Sequence, residues 1–216
     1  MFTIVIRAEV PDRNRRLREL GLVLPGFDDP RWCLLEAVRA AVAGRASTTD
    51  NDARSAAGYN AWSFPTRRLR EVYRGSAGWD KFEENGVEGI IHPERKLKVV
   101  AVSTDEGTCD SDRSPRNRTP KGPATEKVID LNNQLSLFPP GVLAAQQDGY
   151  QTWQLCTFDD GNDVRAELSC PVNFSGGRFL AFSERIFLIG PDEWQRIAVN
   201  IQDVGADIVP EVHRRG

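Results

Sequence analysis

The sequence predicts an α+β fold: a mainly antiparallel sheet that finishes in a C-terminal β-meander, packed against three to four helices. Three observations carry this. Leu34, Leu35, Val38, Ala41 and Val42 recur at i, i+1, i+4, i+7 and i+8, which is one stripe of a helix. Ala124, Val128, Leu131 and Leu135 recur at i, i+4, i+7 and i+11 in a second helix. From residue 150 onward the apolar period changes to two, the signature of half-buried strands.

The elements follow in chain order. Residues 2–8 (FTIVIRA) are β-branched and apolar and read as a strand. A basic linker from Arg13 to Arg18 comes next. A helix is expected over 30–43, with Asp29 as N-cap, Pro30 as its first residue and Gly44 just past its end. Residues 46–61 (ASTTDNDARSAAGYNA) are small and polar and read as an exposed loop. A short helix at 66–74 turns Leu69, Val72 and Tyr73 inward, and Asn85-Gly86 closes a further helical turn carrying Trp79 and Phe82. Val87–Ile91 and Leu97–Val102 read as two strands around the polar HPERK.

Residues 104–122 have almost no apolar content and are expected to form a long mobile loop. Pro123 opens the helix of 123–135, and Pro139-Pro140 forbids its continuation. The meander begins with 150–158 and 163–170 around Asp159–Asn162. With Phe158 opposite Asp163, Trp153, Leu155, Val164, Ala166 and Leu168 share one face, while Gln154, Cys156, Arg165 and Glu167 share the other. Gly176-Gly177 then turns the chain into 179–189. Residues 191–201 are ambiguous between helix and strand, and the tail from 210 is expected to fray. One core spanning 1–216 is expected, with a secondary division into an α-rich half (1–103), the mobile basic loop (104–122) and a β-rich half (123–216).

Composition narrows the function classes. Apolar residues at 40% and charged residues at 27% are the ordinary globular balance, so a core is expected without disulfide staples. The net charge of −3, from 28 basic and 31 acidic side chains, excludes a surface that is basic throughout, so any contact with a polyanion has to be local. No run approaches the roughly 18 apolar residues of a membrane span. The opening MFTIVIRAEVPDRNRR is too short in apolar length for a secretory signal, which predicts a cytoplasmic protein without membrane contact. Cys33, Cys109, Cys156 and Cys170 form no C-x-x-C pair, and His92 and His213 are the only histidines, so neither a zinc site nor any other cofactor is implied. The four thiols are expected to be reduced.

Several residues invite a chemical reading. His92-Pro93-Glu94 is half of a zinc deaminase signature whose P-C-x-x-C half is missing, which leaves a turn with His92 partly exposed. Asp80, Glu94 and Lys96 can be aligned with the D…E-x-K arrangement of a metal-dependent nuclease, but the E-x-K follows Pro93 in a polar turn instead of lying on a core strand. Cys109 lies among Asp105, Glu106, Asp110 and Asp112, which oppose a thiolate, so it reads as an incidental exposed thiol. Glu184 falls on an apolar face beside Cys170, with Leu168 opposite Ile186. An arginine is its expected structural partner, and a functional carboxylate is the alternative.

The strongest local signal is Arg113, Arg116, Arg118 and Lys121, four cations leading into a helix N-terminus, which suits an anion. Tyr59 and Trp62, in the polar stretch, are a second candidate contact point. The resulting expectation is a non-enzymatic accessory protein that engages nucleic acid or an acidic protein surface through the basic loop. The alternatives are a metal-dependent nuclease or hydrolase using carboxylates such as Asp80, Glu94 or Glu184, and a structural assembly subunit. The oligomeric state is not encoded in any of these features.

Overall fold

The computed structural model describes residues 12–137, 149–195 and 197. The strand expected at 2–8, most of the 191–201 element and the tail from 210 lie outside the described residues. The elements are α1 (Arg13–Glu19), α2 (Trp32–Ala46), α3 (Ala56–Tyr73), β1 (Asp80–Glu84), β2 (Val87–His92), β3 (Leu97–Ser103), α4 (Pro123–Leu137), β4 (Gln151–Asp159), β5 (Val164–Ser175) and β6 (Arg178–Ile189). The fold is α+β. Among the described residues six strands form one sheet in sequence order, antiparallel except between β3 and β4. That parallel pair requires a crossover, and α4 lies within it.

Alternation along the strands divides the core in two. Ile90, Val99, Trp153, Leu155, Leu168 and Ile186 pack with Leu17, Leu34, Val38, Leu69 and Tyr73 from α1, α2 and α3. Val102, Cys156, Phe179 and Phe182 point the other way and meet Ile129 of α4. Helices therefore cover both faces of the sheet.

Local chemistry explains where the elements depart from expectation. α2 starts at Trp32 with Arg31 as its N-cap and no side-chain cap, two residues later than expected; Asp29 instead accepts the Arg31 N–H at 2.8 Å ahead of the helix and is bracketed by the Arg31 guanidinium. Gly44, however, is buried inside α2 and does not end it. A side chain there would meet Asn60 O at 2.8 Å and the Phe64 ring at 2.9 Å, so Gly44 marks the close approach of α2 and α3. The expected loop at 46–61 gives way to helix from Ala56, well before the short helix expected at 66–74. Ala61, Pro65, Leu69 and Tyr73 are buried at successive i+4 positions, and two small or ring-closed members make that stripe inconspicuous.

Asn85-Gly86 closes a β-hairpin, not a helical turn. Both residues have positive φ (+52° and +77°), the geometry that two-residue hairpin loops demand. Trp79 precedes β1 and Phe82 lies within it. The β4–β5 hairpin is offset from the expected register: Phe158 faces Arg165, and Cys156 faces Glu167. Asp160 sets this, because its carboxylate accepts the N–H groups of Asn162 (2.9 Å) and Asp163 (2.8 Å) and keeps both residues in the turn. The displacement is even, so every side chain keeps its expected face.

Residues 104–122 form no helix and no strand longer than an isolated bridge, Thr104 with Asn117. Their polar composition led to the expectation of a mobile segment, yet Thr104, Thr108, Cys109 and Asn117 are buried. Polar bonds replace the missing apolar area. Glu167, fully buried on β5, takes a bidentate ion pair from Arg185 of β6 at 2.8 and 2.6 Å. It also accepts the Cys109 N–H (2.6 Å) and the Ser169 hydroxyl (2.7 Å). Arg185 in turn donates to the carbonyls of Gly107 (3.0 Å), Asp110 (2.8 Å) and Arg113 (3.0 Å). Asn117 seals the far end, donating to Thr119 O and Gly177 O and accepting the Phe179 N–H. Cys109 is thus a buried thiol instead of an exposed one, and burial, then the Glu167 charge, push its pKa well above the usual thiol range.

Candidate functional site

The four loop cations do not converge. Arg113 is exposed and pairs with Glu106 at 2.8 Å, and Arg116 is exposed beside it. Arg118 folds back instead: its guanidinium donates to Thr104 O (3.0 Å) and Asp159 O (2.7 Å) and lies over the Phe158 ring. Burial, reinforced by Arg45, lowers its pKa. Lys121 is half-buried and faces a cavity on the α4 side of the sheet. The loop's backbone carbonyls and carboxylates consume much of the charge that its sequence advertises.

The carboxylate candidates are dispersed as well. Asp80 is exposed at the start of β1 and pairs with Arg74 at 3.4 Å. Glu94 is exposed in the β2–β3 turn. Lys96, in the same turn at φ +51°, places its ammonium 4.9 Å from the Tyr150 ring. Glu184 lies on β6 opposite Cys170, where it binds the Arg16 guanidinium at 2.5 and 2.9 Å, the arginine partner expected for it. His92 is buried, not partly exposed: its ring stands edge-on to Trp79 at 5.2 Å and accepts the Arg95 N–H. Among the described residues no three His, Cys, Asp or Glu side chains converge as metal ligands do.

The second sequence signal fares differently. Tyr59 and Trp62 are on α3, one helical turn apart, with ring centroids 5.8 Å apart at 61°. Tyr59 is 60% exposed, far more than a packing aromatic needs. The helical repeat carries the same face onward to Arg67, Arg70 and Arg74. Together with Lys81 of β1 and Glu88 of β2 they line an open groove of about 340 Å³. Arg70 is structural: it donates to Phe82 O (2.8 Å) and Gly89 O (3.3 Å), bracing the β1–β2 hairpin, and pairs with Glu88 at 3.1 Å. Arg67 is exposed, lies over the Phe64 ring and pairs loosely with Glu71 at 3.5 Å. Arg74 and Lys81 are exposed along the same groove.

A smaller cavity of about 60 Å³ brings Trp62 together with Lys121. The structure therefore joins one member of the aromatic pair to one member of the basic run, and leaves Arg113, Arg116 and Arg118 outside. The helix expected at 66–74 already turns its arginines outward; what its short span hides is that Tyr59 and Trp62 stand on the same helix. Counting helical repeats back from Tyr73 through Leu69 to Ala61 would have put Tyr59 and Arg67 on one helix.

Comparison with protein-family models, with curated proteins and with solved structures finds no match.

Proposed function

We propose that this is a non-enzymatic, nucleic-acid-binding accessory protein of the cytoplasm, and that it engages its ligand through the α3–β1–β2 groove instead of the 104–122 loop. The observation that carries this is the exposed Tyr59 ring, set against Trp62 and flanked by the exposed cations Arg67, Arg74 and Lys81. Aromatic faces interleaved with cations suit a nucleic acid, because bases stack on the rings while phosphates release counterions to the cations. The pairing of Arg67 with Glu71 is solvated, so little is lost when a phosphate replaces it. Four buried, unpaired thiols fit a reducing compartment. An acidic protein surface is the second reading, supported by the same Tyr, Trp and Arg composition, which is that of interface anchors.

The test is a fluorescence-anisotropy titration of labelled nucleic acid at several salt concentrations. Tyr59→Ala is expected to weaken binding by about tenfold, the loss of one stacked base. Arg113→Ala and Arg116→Ala should leave it unchanged. Equal binding by Tyr59→Ala and the wild type would overturn the assignment, and capture of an acidic polypeptide with no nucleic-acid binding would favour the second reading.

A further inference from the structure

Resting on that groove reading, we propose that the bound nucleic acid is single-stranded, and that it runs from the α3 groove past Trp62 into the cleft between α4 and the β1–β2–β3 end of the sheet. The path is built from three cavities that share walls. Trp62 and Glu88 line both the α3 groove and the narrow cavity of about 60 Å³. Val87 and Val128 line both that neck and a cleft of about 380 Å³ beyond it. Among the described residues α4 packs over β4 and β5, and the cleft opens between it and the β1–β2 hairpin.

Aromatic rings and cations recur along the path, with the carboxylates of Glu71, Glu88 and Glu84 among them. Tyr59 and Trp62 stand with Arg67 and Lys81 in the groove. Lys121 stands at the neck. Phe82 and Tyr150 stand with Lys98 and Lys127 in the cleft. Lys98 is already engaged, with Glu84 at 3.1 Å and both rings at 4.9 Å. Lys127 is exposed, and Lys121 makes no ion pair among the described residues. Its half-burial lowers the lysine pKa, a desolvation cost that a phosphate at the neck would offset.

Geometry then selects the strand state. In a duplex the flat faces of the bases are occupied by their neighbours, so rings recessed in a cleft have nothing to stack on. An unpaired strand exposes those faces and bends around the hairpin tip at Asn85-Gly86, between groove and cleft.

The probes are fluorescein-labelled oligothymidines of about 4 and about 16 nucleotides, an oligouridine of the longer length, and a duplex of about 16 base pairs. The longer strands are expected to bind about tenfold or more tighter than the short one, and the duplex more weakly than either long strand. Binding of either long strand supports the proposal, and the tighter one identifies the sugar. Lys121→Met with Lys127→Ala should weaken the long strand by about tenfold, leave the short one unchanged, and lower the salt slope by about 1.4, or 0.7 per cation. Tyr59→Ala should weaken both, and an unchanged thermal melt shows that each variant folds. Duplex binding equal to the single strand, or no effect of the double variant on the long strand, overturns the track while leaving the groove reading intact if Tyr59→Ala still weakens binding. Absence of binding by every probe overturns both.

Discussion

The 104–122 loop and the 46–64 stretch look alike on paper: both are polar, poor in large aliphatics and rich in turn-forming residues. They end up with opposite characters. The loop turns its polar groups inward, around the Glu167–Arg185 pair, and becomes part of the interior. Much of the second stretch becomes the first turns of α3 and presents Tyr59 outward. A run of cations in sequence is therefore not a patch in space. Whether a guanidinium is available depends on how many unsatisfied carbonyls lie within its reach, and an irregular segment supplies many while a helix supplies almost none.

The comparison is broken most forcefully at Arg185. Arg185→Met strands the Glu167 carboxylate in a dry site and removes three carbonyl bonds from the loop. The expected cost is about 3–5 kcal/mol in urea denaturation, largely restored by adding Glu167→Gln. Trypsin should spare the bonds after Arg113 and Arg116 in the native protein and cut them in Arg185→Met. Early cutting in the wild type would show that the network does not hold the loop.

A middle-sized effect tests the interior from the cysteine side. Burial raises the thiols of Cys109 and Cys156 well above the usual range and that of Cys170 to about 12. In the unfolded chain they ionise at about 8.5. Above that value the unfolded state has lost protons that the folded state retains, so stability is full below it and falls as pH rises towards 12. The urea midpoint should decline across that window, and maleimide should label the native protein slowly and all four cysteines once it is denatured. A midpoint that rises with pH would contradict the burial. The smallest effect is expected at the loop's surface. Arg113→Ala breaks only the solvated pair with Glu106, and its urea midpoint should match the wild type.

The legible parts of the fold were those where one period dominates. α2, α4, the β2–β3 pair and the faces of β4 and β5 all follow from apolar spacing, and so does the face of Glu184, because the β5–β6 pairing keeps its expected register from Leu168 opposite Ile186 to Cys170 opposite Glu184. β1 was illegible because DKFEE has one apolar residue and depends on its Asn-Gly turn and on Arg70 for its place. The inward loop was illegible for a different reason. Its stability comes from a glutamate and an arginine on distant strands, and no local pattern in 104–122 records partners that lie 58 and 78 residues further along the chain. The Tyr59–Trp62 pair was visible as residue types, whereas its cations needed the helical phase of α3.

The parallel junction between β3 and β4 has a consequence for how the molecule assembles. β1–β2–β3 and β4–β5–β6 are each a set of neighbours joined by short turns, so either can form from local encounters. The β3–β4 seam, which aligns Val99 with Trp153, must wait until α4 and its flanking segments have closed a much longer circuit. Folding speed should then be governed at that seam, whereas changes within either meander act chiefly on how quickly the finished protein comes apart.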